Sequence, residues 1–162
     1  MQQRSKTLLV AAAALAVALT VYLIATAPRE PDKQQIADGI ETARAAIEHR
    51  SASTLLTVVS ADYKDAMFSN VDQLHYFLSR IFKGSGQLSI TTTSTAIDIT
   101  GDSAKSVTHV TIKPVDSSAN LYDGNVTLTW HREEAHRYLI FPTTVWRVTS
   151  ADYPAIPGMG SD

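Results

Sequence analysis

The sequence predicts an α+β fold: an N-terminal transmembrane helix, then three helices packed on a curved antiparallel sheet of about four strands. Three observations carry this. Residues 7–27 run for 21 positions without a charge. Residues 33–82 hold three stretches whose apolar residues recur every three or four positions, the spacing of amphipathic helices. Residues 87–148 are rich in β-branched residues that alternate with a period of two, as half-buried strands do. Helices first and strands afterwards is the order of an α+β domain rather than of an alternating α/β one.

The charge-free run reads TLLVAAAALAVALTVYLIATA. As a helix it reaches about 31 Å, enough to cross a hydrocarbon core of about 30 Å. Arg4 and Lys6 precede it, and Pro28, Arg29 and Glu30 close it. Ala25-Thr26-Ala27 matches the small-x-small pattern of a secretory cleavage site. The run is longer than an ordinary signal core, however, and Pro28 is a poor residue just after a cut. A single-pass anchor is therefore favoured over a cleaved signal. The basic residues on its near side place the N-terminus in the cytoplasm and the globular part outside the cytoplasmic membrane. The expected organisation is an anchor over 1–27, a proline-containing linker over 28–32, a domain over 33–152 and an irregular tail over 153–162.

Asp32 stands where it would cap the first helix of the domain. From residue 33 to about residue 50, Ile36, Ile40, Ala43 and Ile47 form one apolar stripe. Ser51-Ala52-Ser53 breaks it and offers a cap for a short helix containing Leu55, Leu56, Val58 and Val59. Residues 60–65 (SADYKD) read as a polar turn. Ser69 and Asn70, with Asp72 and Gln73 three residues on, form a capping-box pattern. Val71, Leu74, Phe77, Leu78, Ile81 and Phe82 then make the face of a third helix, ended by Gly84-Ser85-Gly86.

In residues 87–100, Leu88 and Ile90 alternate in one phase and Ile97 and Ile99 in the other. A bulge or bend near residues 94–96 reconciles them. Gly101-Asp102 marks a turn before a second strand over 104–113, with Val110 and Ile112 on one face. Val126, Leu128 and Trp130 alternate on a third strand, residues 131–136 (HREEAH) read as a polar turn, and 145–148 form a fourth strand. A bent first strand curves the sheet, so a concave pocket is expected between it and the helices.

Composition narrows the function. Apolar residues make up 44% and charged residues 19%, which is globular rather than disordered. Net charge is −2; without Arg4 and Lys6, 12 basic residues face 16 acidic ones, a charge of −4. Such a domain is not a nucleic-acid surface, which needs clustered Lys and Arg. With no Cys, disulfides, thiolate chemistry and cysteine-zinc sites are excluded.

Residues 43–65 (ARAAIEHRSASTLLTVVSADYKD), the helix over 71–82 and the hairpins leading to Trp146-Arg147-Val148 resemble, in their order, the nuclear-transport-factor-2-like or SnoaL-like superfamily. The resemblance covers roughly residues 33–152 and rests on a pattern of elements rather than on a signature motif. It implies a cone-shaped α+β fold, a pocket for a small hydrophobic ligand and a homodimer through the sheet. The superfamily includes ketosteroid isomerase, polyketide cyclases, scytalone dehydratase and non-enzymatic binding or assembly modules, so fold alone does not give function. In the isomerase-like enzymes a general-base aspartate follows the second helix, and Asp65 stands about two residues before that place. Their oxyanion-donating tyrosine on the first helix falls here near Ala43, which has no hydroxyl. The partner acid of a later strand is matched only by Thr108 and Ser106, with His109 on the other face. One base without its electrophilic partner supplies only part of a barrier reduction. The expectation is a membrane-tethered, non-catalytic binding or assembly module; the alternative is an isomerase, cyclase or hydrolase using Asp65 as base.

Tyr63, Asp65, Tyr76, Trp130 and Trp146 are the candidate pocket residues. For Asp65 the plainer role is a turn aspartate binding local N–H groups; for the two tryptophans it is core packing. His75 lies off the apolar stripe of its helix. His131, Glu133, Glu134 and His136 invite a metal reading, but their spacing is not the two-histidine helical pattern. No cofactor or metal is expected. The apolar run 138–142 (YLIFP) is expected to pack in the fold or at a subunit interface.

Overall fold

A computed structural model of the chain describes residues 31–84, 86–137 and 141–154. Three helices, α1 (Asp32–Glu48), α2 (Ala52–Leu56) and α3 (Val71–Gly84), precede four strands, β1 (Leu88–Thr100), β2 (Ser103–Pro114), β3 (Tyr122–Arg137) and β4 (Phe141–Asp152). The strands form one antiparallel meander in the order β1-β2-β3-β4. The expected α+β class, three helices and four-stranded sheet are all present. The expected anchor over 7–27 and its linker to residue 30 lie outside the described residues. Among the described residues no helix is long and apolar enough to cross a membrane.

α1 starts differently from the sequence expectation. Pro31 is its N-cap, and no side chain caps it. Asp32 is instead the first helical residue, and its carboxylate is used across the fold. It accepts hydrogen bonds from Arg132 on β3 and from the Trp146 indole N–H on β4, the latter at 3.0 Å. At the other end Ser51 N donates to Ala46 O (2.8 Å) and Arg50 N to Ile47 O (3.0 Å). This paired closure needs a left-handed residue, and Arg50 supplies it with φ 54°. Ser51 then caps α2 by accepting from Thr54 N. Asn70 caps α3 by accepting from Gln73 N (3.0 Å), and Gln73 reaches back to Ser69 N (3.0 Å), a capping box whose return bond lies one residue before the cap.

The bulge expected in β1 is present. Register slips between Thr93 and Ala96, where Ser94 has φ 48°. It turns both apolar phases to one face: Ile90 lies opposite Ile112, and Ile97 opposite Ser106. Gly101, at φ 60°, makes the turn into β2.

Two polar stretches expected as turns are structured more tightly. In residues 60–65, Ser60 is 1% and Tyr63 4% exposed. Val59 bridges Val148, and Ser60 N donates to Val148 O, so this stretch is sewn to β4. Residues 131–136 are not a turn but the continuation of β3, which runs to Arg137 against Phe141. Tertiary partners make a strand tolerable there: Arg132 pairs with Asp32, and Glu133 with Arg147 at 3.2 Å. The alternation of a strand also separates His131 and Glu133 from Glu134. β4 correspondingly extends beyond the expected 145–148 at both ends. In the run 138–142, residues 138–140 lie outside the described residues, and Phe141 and Pro142 open β4.

The core lies between the helices and the inner sheet face. It centres on Ile36, Tyr63, Phe68, Trp130, Trp146 and Val148. Trp130 is fully buried and donates from its indole N–H to Ser106 Oγ at 2.8 Å. Gly39 permits this, because a Cβ there would lie 2.9 Å from the Trp130 ring.

Candidate functional site

Beyond the tryptophans the inner face changes character, and a cavity of about 250 Å³ opens between helices and sheet. The second half of α1 contributes Ile40, Ala43, Arg44 and Ile47 to its wall. Leu55, Val58, Val59, Tyr63 and Leu74 close it from the remaining helical layer. The sheet adds Ile90 and Thr92 from β1, Thr108, Val110 and Ile112 from β2, Val126 and Leu128 from β3, and Val148 and Ala151 from β4. The β2 and β3 residues that face it follow the two-residue alternation of their strands. The cavity exists because these positions carry Val, Ile and Thr, which are too short to meet α1, where the neighbouring end carries indoles.

The wall is mainly aliphatic, and the described residues bring four polar side chains to it. Thr108 is 4% exposed and shares a hydrogen bond with Thr95 (3.1 Å). Thr92 stands on the edge strand. The other two are titratable, and both are engaged by carboxylates. The Tyr63 hydroxyl donates to Asp65 Oδ2 at 2.5 Å. Burial, and next the Asp65 carboxylate, push the Tyr63 phenol well above its ordinary value, so it stays a neutral donor. Arg44 meets Glu41 through Nε (2.8 Å) and Nη2 (2.5 Å), and Glu48 through Nη1 (2.5 Å). The hydrogen bond to Glu41, then that to Glu48, hold the guanidinium still more firmly protonated.

Glu48 ties this cluster to the sheet. Its Oε1 accepts from Ile90 N at 2.8 Å, satisfying a backbone donor on the edge strand β1. That bond, and next Arg44, hold the Glu48 carboxyl below the usual carboxylate range. Arg44 likewise lowers Glu41.

The candidate residues separate. Tyr63 lines the cavity. Asp65 lies behind it, outside the wall, and already receives three donors: the Tyr63 hydroxyl, Met67 N (2.8 Å) and Phe68 N (2.7 Å). Three of its roughly four acceptor sites are thereby taken. Tyr76 is 71% exposed on α3 and takes no part in the wall. Trp130 and Trp146 are buried beside the cavity rather than in its wall, bonded to Ser106 and Asp32. Ala43 presents its methyl to the cavity at the place where the resemblance puts a tyrosine. His109 is on the outer face of β2 with Asp123 (2.9 Å) and Asn125 (3.2 Å). Among the described residues no group of three or more His, Cys, Asp or Glu is arranged to hold a metal ion.

Arg44 and Thr92 were not singled out from the sequence. Their signal was present: Arg44 follows Ala43 beside the apolar stripe of α1, and Thr92 continues the phase of Leu88 and Ile90.

No protein-family model matches the chain, and no curated protein matches it. Solved structures do. A nuclear-transport-factor-2-like protein of unknown function from Pseudomonas putida superposes with a TM-score of 0.60 at 14% identity, covering 73% of this chain and 82% of that one. The fold is the nuclear-transport-factor-2-like one. A putative ketosteroid isomerase from Shewanella frigidimarina has a TM-score of 0.54 at 16% identity, over 72% of this chain and 92% of its own. A putative aromatic ring hydroxylase from Novosphingobium aromaticivorans has a TM-score of 0.60 at 16% identity, over 76% and 89%. At these identities the likeness is one of fold. Different activities hung on one nuclear-transport-factor-2-like frame leave the site itself to decide function.

Proposed function

We propose that this chain is a membrane-tethered, non-catalytic binding module that holds a small apolar molecule in the cavity between its helices and sheet. The observation that carries this reading is the chemistry of the wall. It is mainly aliphatic, and the titratable side chains that the described residues bring to it, Arg44 and Tyr63, are already bonded to Glu41, Glu48 and Asp65. A concave apolar space with a few fixed polar groups suits ligand binding. General acid–base chemistry needs a group free to take a proton from substrate, and Asp65 is held behind the wall by three donors. The tether rests on the charge-free residues 7–27 and the basic Arg4 and Lys6 before them, with the domain outside the cytoplasmic membrane.

Native mass spectrometry of the full chain, released from membranes in a volatile detergent, tests the reading. The expected result is a retained small molecule of low polarity. Turnover of a hydrophobic ketone or ester by the full chain, abolished by Asp65→Asn, would replace the binding reading with the isomerase-type one.

A further inference from the structure

We infer that the cavity selects uncharged apolar molecules and rejects carboxylates, because Glu41 and Glu48 neutralise Arg44, the cation that the described residues place in its wall. This rests on the binding reading above and names the class of ligand. Arg44 by itself would make the cavity a site for anionic amphiphiles, since guanidinium and carboxylate form strong two-pronged pairs. Here three of the five N–H donors of Arg44 are already taken. Glu41 engages two guanidinium nitrogens and Glu48 the third. Arg44 with Glu41 and Glu48 carries a net charge of −1. A ligand carboxylate would be a third anion around a single cation, and the N–H donors left to it would not offset its lost hydration and the repulsion of two carboxylates. Glu48 is also fixed by Ile90 N on β1, so it does not swing away to make room.

The remaining polar groups suit a hydroxyl better than a charge. Thr92 and Thr108 line the sheet side of the wall and Tyr63 the other, with the Tyr63 hydroxyl turned to Asp65 and that of Thr108 shared with Thr95. Size follows from volume. A dry cavity of about 150 Å³ accepts benzene, so the 250 Å³ here corresponds to a molecule of roughly ten non-hydrogen atoms. The ligand class is therefore a compact aliphatic or alicyclic molecule, neutral, with at most one alcohol-like group.

Two probes that differ only at one end test this: cyclohexylmethanol and cyclohexanecarboxylate. Binding is read from the methyl NMR signals of Ile47, Val110 and Val126 in the full chain, held in lipid nanodiscs at neutral pH. The expected result is that the alcohol shifts these signals, with a Kd at least about tenfold lower than that of the carboxylate. In Glu41→Gln/Glu48→Gln the carboxylate should gain about tenfold or more while the alcohol changes little. Glu41→Gln alone, on an exposed side chain, should give part of that gain and covers the case in which the double variant does not fold. Equal affinity for both probes in the natural chain, or no gain in either variant, overturns the inference and leaves the binding reading standing. Methyl signals that respond to neither probe overturn both.

Discussion

The two halves of α1 pack against the sheet by opposite means. The first half is pinned. Ile36 is fully buried, Gly39 lets the Trp130 ring approach, and Asp32 receives both Arg132 and Trp146. Large indoles fill this end, and each indole N–H has a side-chain acceptor, which is what burial of tryptophan requires. The second half stands over open space. Ile40, Ala43 and Ile47 face Val110, Ile112 and Val126 across a cavity, and polar bonding moves to the rim, where Glu48 ties the helix to Ile90. The same helix thus rests on one filled end and one end held apart by its edges. A fold of this size tolerates an empty space only if its margins are fixed elsewhere, because voids forfeit packing contacts. The contrast teaches that the filled end supplies stability, while the open end is the space that the proposed binding reading assigns to a ligand.

Breaking the filled end should have the largest effect. Trp130→Ala removes a fully buried ring and leaves Ser106 without its donor; a loss of about 3–5 kcal/mol is expected in urea unfolding. A loss below about 1 kcal/mol would mean that the two ends are not energetically different. Asp32→Ala should cost about 2 kcal/mol, since it leaves the Trp146 N–H without its acceptor and Arg132 with only the more distant Asp102 (3.6 Å) as a carboxylate partner. Arg132 also lies over the Trp146 ring, 4.9 Å from its centroid, so part of its partnership survives.

At the open end the response should be of another kind. Val126→Phe adds volume where there is space, so stability should stay within about 1 kcal/mol of the natural chain or rise. Calorimetric titration with cyclohexylmethanol should then show binding reduced at least about tenfold. Were this substitution as damaging as Trp130→Ala, the space would not exist in solution.

The smallest effect is in pH. Glu48 is held below its ordinary value by Ile90 N and then by Arg44. A depressed carboxyl stabilises the folded chain fully above the unfolded-state value of about 4.3. That contribution is lost as pH falls through the lower folded-state value. Stability measured from pH 6 downward should therefore fall more steeply in the natural chain than in Glu48→Gln. Parallel curves would show that the Glu48 tie does not hold the rim.

The filled end and the open end were not equally legible in the sequence. Strand alternation places Val110, Ile112, Val126, Leu128 and Trp130 on one face, and the opposed phases of Ile90 and Ile97 announce the bulge at Ser94, where φ is 48°. Local chemistry was also readable: Asn70 and Gln73 cap α3 as their spacing implies. Long-range polar bonds were not. Asp32 resembles a helix cap until Arg132 and Trp146, 100 and 114 residues away, claim its carboxylate. Residues 131–136 resemble a turn because their charges find partners only in three dimensions, on α1 and β4. Within the site, Tyr63 stood out as an aromatic beside Asp65, and it does line the cavity. Arg44 did not stand out, because a guanidinium flanked by Glu41 and Glu48 has the pattern of an ordinary solvated helix face. Its place in an apolar wall depends on the curvature of the sheet opposite.

The most direct measurement is the melting temperature of the full chain in nanodiscs against increasing cyclohexylmethanol, for the natural sequence and for Val126→Phe. Binding to the folded state alone stabilises by about 2.7 kcal/mol at a ligand concentration one hundred times Kd. The natural chain should therefore melt progressively higher and Val126→Phe should not. Melting temperatures that stay flat or shift together in both proteins would contradict a ligand cavity at the open end.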